Sequence, residues 1–453
     1  EREIRNFVKT PFYRVISTLE LAGKKFDGEW RVTPQSSYFQ YPKLYKENGF
    51  LEKKDAQELI HQLNAQKPLT ASVEKIEKKK EKKNPPLLFN LAELQNVCSK
   101  LFKISPDETL RIAQELYEKK LITYPRTDAR VLSTAAAKVV GKNLNGLKGF
   151  GMVSHIAAHI LEQGEYKNLS KSRYVNDKQV TDHYALIPTG QGLGALGRLP
   201  VTSQRVYETI VRRFLSIFYP PAIYQKIALT TKIQNESFFS SFKVLLSPGY
   251  LEIAGSSFAK KSTDTESSNG EATCDVILLQ ALQGLKKSAI LPVEKLAVKE
   301  GETSPPKRYN SGTMILAMEN AGQLIEDEEL RAQIKGSGIG TSATRAEILK
   351  KLFHIEYLNL NKKTQVITPT LLGEMIYDVV NCSIRSLLNP ELTASWEKGL
   401  TYVAEGSITP QEYMDKLEHF IRVKVGGVLQ VNYQAALRSR YDSIAGNYRK
   451  GGK

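Results

Sequence analysis

Two segments that alternate apolar and polar residues lie on either side of a long helical segment, and this order limits the folds open to the chain. Residues 11–34 alternate about a turn at Gly23-Lys24-Lys25, and residues 226–233 and 237–246 alternate again. A period of two is typical of strands that bury one face. Between them, residues 85–210 carry helical patterns. A helical domain inserted into a β domain explains this order better than two unrelated sheets, so we predict an α+β, multidomain fold.

The remaining segments suggest further divisions of the 453-residue chain, which is too long for one compact core and should form two to four domains. A helix is predicted over residues 53–66. The lysine-rich residues 75–83 are interpreted as a linker at a domain boundary. Residues 261–273 are rich in small polar and acidic side chains and predict a mobile loop. From residue 306 to about 427 the pattern is mostly helical, and residues 428–453 form a basic tail.

The composition favours a polyanionic partner. The net charge is +16 and the isoelectric point is about 9.4, and nucleic acid is the commonest polyanion that a basic protein binds. A generally basic protein without such a partner is the second interpretation. No run of about 18 apolar residues is present, so no membrane partner is expected. Cys98, Cys274 and Cys382 are too far apart for a disulfide framework or a Cys-x-x-Cys zinc site, and a reducing cytoplasm fits them best.

Two helices are predicted in the segment that starts near residue 85. The apolar stripe of the first consists of Leu91, Leu94, Val97, Cys98 and Leu101. The second begins at Ser105, where a serine cap, Pro106 in the first turn and Glu108 form a capping box. Its buried face is predicted to contain Leu110, Ile112, Ala113, Leu116 and Tyr117. This helix ends near Lys119-Lys120, a few residues before Tyr124.

The octet from Leu121 to Asp128 holds a tyrosine that is suited to attack a phosphate. A phenol has a pKa of about 10 and is a poor nucleophile at neutral pH. A nearby cation favours the phenolate, and the guanidinium of Arg126 matches phosphate oxygens. Because residues two apart in an extended segment project on the same side, Tyr124 and Arg126 are predicted to meet one phosphate together. On this pair alone, ordinary packing of one of 21 tyrosines is the simpler interpretation.

Histidines supply a second set of candidates. His183 lies in the stretch from Val180 to Thr189, and a histidine can hydrogen-bond a phosphate or transfer a proton near neutral pH. An isolated histidine is usually structural. His155 and His159 are four residues apart but lack the glutamate of the zinc-protease motif, so they are predicted to lie on a helix face.

A glycine-rich stretch from Lys335 to Ala346 is the third candidate. Glycines let the backbone approach phosphates, and Thr344 and Arg345 open a helix whose N-terminus attracts anions. The dinucleotide-binding pattern fails at Thr341, and the Walker pattern fails because no Gly-Lys-Ser/Thr follows.

These three stretches together resemble the motifs of type IA DNA topoisomerases, in particular of the topoisomerase III kind. The octet resembles the active-site signature, and Asp182–Thr189 resembles Asp-His-His-Ala-Ile-Ile-Pro-Thr with Tyr184 for the second histidine. Gly338–Ala346 resembles Gly-Ile-Gly-Thr-Pro-Ala-Thr-Arg-Ala with Ser342 for the proline. Several motifs agree in order and spacing, which is far more specific than any single one.

The resemblance implies particular roles for residues of this chain. Tyr124 would attack DNA and hold the broken strand as a 5′-phosphotyrosine, with Arg126 and His183 as further catalytic residues. DNA binding is expected for Thr127, Asp128, Lys335, Thr344 and Arg345. The enzyme so implied cleaves single-stranded DNA transiently, passes a strand and religates it without ATP.

The resemblance also implies a toroidal core built from recognisable domains over residues 1 to about 427. A β-rich domain II would comprise residues 1–84 and 211–303. A helical, winged-helix-like domain III would comprise 85–210 and carry Tyr124. The remaining, mainly helical part of domain IV would comprise 304–427 and line the groove for single-stranded DNA.

One part of the family pattern is not found in the sequence. The family's Toprim domain holds Mg²⁺ through an Asp-x-Asp pair and a glutamate, and this chain contains no Asp-x-Asp. The chain opens with Glu1-Arg2-Glu3-Ile4-Arg5, which is charged from the first residue and has neither an initiator methionine nor the start of a signal peptide. We therefore expect a chain that lacks the Toprim domain and part of domain IV, with magnesium bound through that absent domain and no metal ligands here.

Several further expectations follow from this interpretation. The partners should be single-stranded DNA and the missing Toprim portion, and no oligomer is expected. The chain alone should cleave DNA weakly or not at all. The alternative is a catalytically silent relative that binds single-stranded DNA, although the presence of Tyr124, Arg126 and His183 together argues against it. A plain helical interaction protein leaves the order of the motifs unexplained.

Overall fold

The structure, a computed structural model, describes residues 1–448 apart from 66, 181, 256, 258–275 and 322–337. The predicted loop at 261–273 lies outside the described residues. The strands are β1 (Pro11–Leu21), β2 (Lys24–Arg31), β3 (Thr70–Lys83), β4 (Ala222–Ile233), β5 (Glu236–Ser247), β6 (Ile290–Glu302), β7 (Leu358–Leu360) and β8 (Ile367–Pro369). The helices are α1 (Arg2–Arg5), α2 (Lys53–Leu63), α3 (Leu91–Phe102), α4 (Pro106–Glu118), α5 (Thr134–Leu147), α6 (Ser154–Gln163), α7 (Leu193–Leu196), α8 (Val201–Ser216), α9 (Leu251–Ala254), α10 (Val276–Gly284), α11 (Ser311–Glu319), α12 (Arg345–His354), α13 (Leu371–Ser383), α14 (Pro390–Ala404), α15 (Pro410–Gln430) and α16 (Gln434–Ala445).

These elements form two compact units. The barrel unit comprises Arg2–Pro86 and Tyr219–Pro306, and the helical unit comprises Leu87–Phe218 and Lys307–Lys453 together with Glu1. The α+β character and the insertion of a helical segment into a β domain are thereby confirmed. The predicted division into domains II, III and IV, and their toroidal arrangement, stay predictions.

The barrel unit is built on a closed antiparallel barrel with the strand order β1-β2-β5-β4-β3-β6. The two predicted hairpins are confirmed, because β1 pairs with β2 and β4 pairs with β5. The first turn is shifted from its predicted position, since Leu21 pairs with Lys24 across Ala22 and Gly23.

The interpretation of residues 75–83 as a linker is wrong. These residues form the second half of β3, and their backbone pairs with β4 as far as Lys83 and Ala222. The side chains are mostly exposed, which explains the polar sequence. Hydrogen bonds to β4 supply the stability that the charged side chains do not, so a lysine-rich segment forms a strand here.

The barrel core includes large apolar side chains from the strands, from α2 and from α10. Trp30 is fully buried in it, and its indole Nε1 donates to Oε2 of Glu236 at 2.7 Å. The hydroxyl of Ser36 donates to the same oxygen at 2.7 Å, and the amide of Ser37 donates to Oε1 at 2.9 Å. Three donors thus satisfy a buried carboxylate, which would otherwise be costly to remove from water.

The helices α3 and α4 of the helical unit agree with the sequence analysis at their starts. Ser105 caps α4, and its hydroxyl accepts from the amide of Glu108 at 3.1 Å. The predicted buried faces are correct except at their edges, where Leu101 is exposed and Tyr117 is 39% exposed.

The region after residue 306 packs directly on the Leu87–Phe218 region within the helical unit. Ala92 of α3 joins Ile315 and Met318 of α11 and Leu349 of α12 in one apolar cluster. Beside it, the hydroxyls of Ser99 and Ser311 lie 2.9 Å apart in a hydrogen bond. This packing brings the glycine-rich stretch and the Tyr124 octet, distant in sequence, into one unit.

Part of the predicted basic tail forms α16, which packs on α13. Arg440 Nη1 donates to Oδ1 of the buried Asp378 at 2.9 Å, and Tyr448 donates to Glu374. No helix among the described residues is both long and apolar enough to cross a membrane.

Candidate active site

The segment that carries Tyr124 leaves α4 through a tight turn. Lys120 adopts the left-handed backbone conformation (φ 61°), and the amide of Leu121 donates to the carbonyl of Leu116 at 2.9 Å. Leu121 and Ile122 are then buried, whereas Tyr124 is half-buried. Burial of the two aliphatic side chains anchors the segment and leaves the tyrosine at the surface.

Main-chain hydrogen bonds join this segment to the stretch that contains His183. Thr123 and Ile187 are linked twice, because the amide of Thr123 donates to the carbonyl of Ile187 and the Ile187 amide donates to the Thr123 hydroxyl, both at 3.0 Å. The amide of Thr189 donates to the carbonyl of Leu121, also at 3.0 Å. Two of the three predicted motifs therefore lie side by side.

This pairing places the ring of His183 against that of Tyr124. Their centroids are 4.3 Å apart and the ring planes are inclined by 44°. The ring of Tyr117 also contacts that of Tyr124, in a T-shaped arrangement with centroids 5.4 Å apart. His183 is exposed. A histidine in this position is available both to the phenol and to a group that approaches it from solvent.

Arg126 is exposed, but the backbone around it is not the predicted extended segment. The amide of Thr127 donates to the carbonyl of Pro125 at 3.0 Å, which is a tight turn centred on Arg126. The argument that Tyr124 and Arg126 project on the same side therefore does not apply. Their joint contact with one phosphate stays a prediction.

Thr127 has a role inside the protein that the sequence did not show. Its side chain is buried, its hydroxyl donates to the carbonyl of His183 at 2.8 Å, and the same hydroxyl accepts from the amide of Ala129 at 3.1 Å. This threonine holds the two motifs together. Direct contact of Thr127 with DNA, predicted from the resemblance, stays a prediction.

Asp128 and Arg345, both predicted to bind DNA, bind each other. Arg345 Nη1 donates to Asp128 Oδ1 at 2.9 Å, and Arg345 Nε donates to the carbonyl of Ile339 at 3.2 Å. The arginine side chain is 1% exposed, whereas that of Asp128 is 39% exposed. Burial and pairing make Arg345 a connection within the protein in this structure. DNA binding by Asp128 and Arg345 stays a prediction.

A second carboxylate lies close to this pair. Glu319 accepts from the side-chain amide of Asn90 at 2.6 Å, and the same amide donates to the carbonyl of Asp128 at 3.1 Å. Burial raises the pKa of Glu319, against the opposing effects of Arg345 and of the Asn90 hydrogen bond. Neither Asn90 nor Glu319 stood out in the sequence, because a capping asparagine and a glutamate at a helix end are common.

The glycine-rich stretch contacts protein groups where it is described. A Cβ on Gly338 (φ 63°) would lie 2.3 Å from the carbonyl oxygen of Met318, so this glycine permits a close approach to the end of α11. Thr344 is exposed at the start of α12, and its hydroxyl lies 3.1 Å from that of Thr341. Lys335 lies outside the described residues. DNA binding by Thr344 and Lys335 stays a prediction.

The phenol of Tyr124 opens into a cleft of about 700 Å³. Its lining residues are Tyr117, Glu118, Lys120, Ile122, Thr123, Tyr124, His183, Tyr184, Thr189 and Gln191. Sequence reasoning had singled out only Tyr124 and His183 of this set as functional. A signal for Tyr117 existed, since it lies at the edge of the apolar stripe of α4 and close to the helix end.

Metal ligands were not expected in this chain. Across the ranges that the structure describes, no group of three or more His, Cys, Asp or Glu side chains converges in the manner of a metal site. The described residues therefore offer no ligand cluster of this size for Mg²⁺.

A family model described as DNA topoisomerase matches residues 1–415. The DNA topoisomerase 3 of Bacillus licheniformis is 30% identical over 452 residues, and that of Bacillus subtilis is 29% identical over 450 residues. These matches cover 99% and 98% of this chain.

The fold is also found in a solved structure. Full-length topoisomerase I from Thermotoga maritima superposes with a TM-score of 0.62 at 20% identity, over 93% of this chain and 60% of that one. The chain spans 56% of the length of both Bacillus relatives. With the family model matched over most of its length, the chain belongs to the type IA DNA topoisomerase family.

Proposed function

We propose that this chain carries the DNA-cleaving and DNA-rejoining tyrosine of a type IA DNA topoisomerase, and that Tyr124 is the nucleophile. The observation that carries the proposal is the position of the Tyr124 phenol. It is half-buried in an open cleft, with its ring 4.3 Å from that of His183. The substrate is a single strand of DNA, whose phosphates are attracted by the net charge of +16.

The reaction is a transesterification that conserves bond energy. A bond forms between the phenolic oxygen of Tyr124 and the phosphorus, and the bond from phosphorus to the 3′ oxygen breaks. The phenol loses one proton and the 3′ oxygen gains one. The reverse attack by the 3′ hydroxyl restores the strand and the free tyrosine, so the cycle needs no ATP. Between the two steps, another strand passes through the break.

Two neighbours of Tyr124 support this chemistry. His183 is exposed beside the phenol and is able to hydrogen-bond the phosphate or to take part in proton transfer. Arg126 is exposed two residues after the tyrosine, and a guanidinium stabilises the charge that develops on a phosphate under attack. Thr127 acts through His183, since its hydroxyl holds the His183 carbonyl.

We propose that the magnesium ion and its ligands are supplied by a separate Toprim domain. A Toprim domain with bound Mg²⁺ would stabilise the leaving 3′ oxygen. We infer that the 453-residue chain on its own forms the covalent adduct weakly or not at all, and that an added Toprim domain raises the yield. We also propose that the chain acts without forming an oligomer.

The test is covalent trapping on end-labelled single-stranded DNA. The chain is incubated with DNA and Mg²⁺, with and without a separately purified Toprim domain of a relative, and the products are separated on a denaturing gel. Tyr124→Phe should abolish the adduct. His183→Ala should reduce the yield by roughly tenfold or more, whereas His155→Ala on the exposed side of α6 should leave it unchanged.

The results of this experiment distinguish an active topoisomerase from a family member that only binds DNA. A 5′-linked adduct that depends on Tyr124 supports the enzyme. Binding of single-stranded DNA without any adduct, although the two pieces associate, would favour a silent DNA-binding relative. An adduct that survives Tyr124→Phe would refute the assignment of the nucleophile.

A further inference from the structure

We propose that the cleft beside Tyr124 is a nucleobase-binding subsite in which Tyr117 stacks on one base of the single strand. The base belongs to the nucleotide whose 5′ phosphate Tyr124 attacks. This inference rests on the proposed function, because it names the part of the substrate that the same site holds. It assigns a binding role to Tyr117, which the sequence had placed on the buried face of α4.

The position of Tyr117 is unusual for a residue that only packs. It lies on the last turn of α4, is 39% exposed and lines the cleft. Its ring meets that of Tyr124 edge-on at 82°, with centroids 5.4 Å apart. A T-shaped contact leaves at least one face of the Tyr117 ring that Tyr124 does not cover. The exposed ring is therefore within one nucleotide's reach of the atom that would bond to the phosphate.

The cleft has the size and the lining that a base requires. Its volume of about 700 Å³ falls within the usual range for small-molecule sites, about 300–1,000 Å³. Tyr117 and Tyr184 supply aromatic surface, and the amide of Gln191 can pair with the polar edge of a base. Every base has an aromatic face, so stacking on a tyrosine tolerates any sequence.

Charge in the cleft favours a base over a second phosphate. Glu118 and Lys120 lie on the lining together. The carboxylate of Glu118 repels a phosphate but can accept from an exocyclic amino group, while the ammonium of Lys120 can pair with the backbone at the rim.

The wall of the cleft is held in place by the main chain. The hydroxyl of Thr189 donates to the carbonyl of Lys120, and its amide donates to that of Leu121. Gly192 (φ 70°) lies so close to the end of α4 that a Cβ on it would be 2.1 Å from the carbonyl oxygen of Lys119. The loop from Thr189 to Gly192 is therefore fixed against the end of α4, which is the element that carries Tyr117.

The test compares two oligonucleotides of equal length and charge. One contains thymidine throughout and the other is abasic throughout, so the comparison does not depend on the register in which the strand binds. Affinities of the full chain are measured by fluorescence anisotropy at fixed salt. The variants are Tyr117→Ala, Tyr117→Phe and, as a matched control, Tyr402→Ala, whose side chain on α14 is similarly exposed (37%) and does not line the cleft.

We expect Tyr117→Ala to weaken thymidine binding by roughly 5- to 100-fold, the effect of removing one stacked base, and to leave abasic binding unchanged. Tyr117→Phe, which keeps the ring, should bind like the unsubstituted chain. Tyr402→Ala should change neither affinity. Each variant's melting temperature reports whether it is folded.

Two results would overturn the subsite. Equal thymidine affinities for the chain and for Tyr117→Ala would show that no base stacks there, and equal losses on both oligonucleotides would show that Tyr117 acts only on the protein's own structure. Failure of the unsubstituted chain to bind either oligonucleotide would instead refute the DNA-binding function itself. If Tyr117→Ala weakened binding only to the thymidine oligonucleotide but Tyr124 formed no covalent adduct with DNA, the base-binding subsite would be supported and the proposed cleavage chemistry would be refuted.

Discussion

Arg345 Nη1 lies 2.9 Å from Asp128 Oδ1, and this ion pair ties the first residue of α12 to the residue four positions after Tyr124. The two are 217 residues apart in the chain. The guanidinium is buried, and it also donates to the carbonyl of Ile339. The placement of the Tyr124 segment therefore depends on the region after residue 306.

Breaking this pair should destabilise the helical unit. We expect Asp128→Asn and Arg345→Met each to lower the free energy of unfolding by about 1.5–3 kcal/mol, because removing one partner leaves a hydrogen-bonded charge without its counterpart. The double variant should lose less than the sum of the two. Urea unfolding followed by circular dichroism measures this cycle. If the loss of unfolding free energy in the double variant equalled the sum of the two single losses, the two residues would not be coupled. Arg438→Met is the control, because Arg438 forms an exposed pair with Asp442 on α16.

The stability of the protein should depend on pH through Glu319. Burial raises the pKa of its carboxyl group, with Asp128 adding to that effect and with Arg345, Asn90 and Arg130 opposing it. The pKa of Glu319 in the folded protein lies above its value of about 4.3 in the unfolded chain. Its stabilising contribution to the free energy of unfolding is therefore fully present below the unfolded pKa and is lost as the pH rises through the folded pKa.

Glu319→Gln removes this titration and keeps an acceptor for Asn90. The difference in unfolding free energy, variant minus unsubstituted protein, should therefore become more positive as the pH rises from about 4 towards neutrality. Urea unfolding at several pH values measures it. A difference that stays constant or falls with pH would disprove the effect, and Glu418→Gln on the exposed surface of α15 controls for the loss of any carboxylate.

The wall of the cleft should not tolerate a side chain at Gly192. Alanine there must adopt φ 70° and would place its Cβ 2.1 Å from the carbonyl oxygen of Lys119, so we expect a loss of about 1–3 kcal/mol and weaker binding of single-stranded DNA. Gly194→Ala is the matched control, because its Cβ would meet nothing within 4 Å and it lies in the short helix α7. Thermal unfolding that is equally affected in both variants would rule out the steric explanation.

The barrel unit should depend on the indole of Trp30. Trp30→Phe removes one donor from the buried carboxylate of Glu236 and leaves a small cavity, for which we expect a loss of about 2–4 kcal/mol. Trp396→Phe in the helical unit is the comparison, since that ring is half-buried and should lose less than about 1 kcal/mol. Scanning calorimetry reports both. Similar losses in the two variants would indicate that ring size alone matters.

Much of the local structure was accessible from the sequence. The period of two predicted β1, β2, β4 and β5, and the serine cap at Ser105 predicted the start of α4. These signals are local, since a strand with one buried face and a capped helix end both depend on neighbouring residues. The prediction for residues 75–83 was wrong because it used only their own charges. The strand that pairs with them, β4, lies about 150 residues later in the chain.

The site was accessible only in part. Motifs marked Tyr124 and His183, and the structure brings their rings together. The pairing of Arg345 with Asp128 was not predicted, because the two residues belong to motifs that are distant in sequence. Tyr117 fits the apolar stripe of α4, and whether such an edge position is covered depends on what packs against the helix.

The sequence by itself determined the family and the alternation of strands and helices, and it singled out Tyr124 as the candidate nucleophile, because each of these depends on short patterns of residues. The tertiary structure decided which charged residues pair with one another, which tyrosines line the cleft, and that a lysine-rich segment forms a strand of the barrel. Those outcomes depend on hydrogen bonds, ion pairs and burial between segments far apart in the chain, and no local pattern records which distant segment will lie alongside.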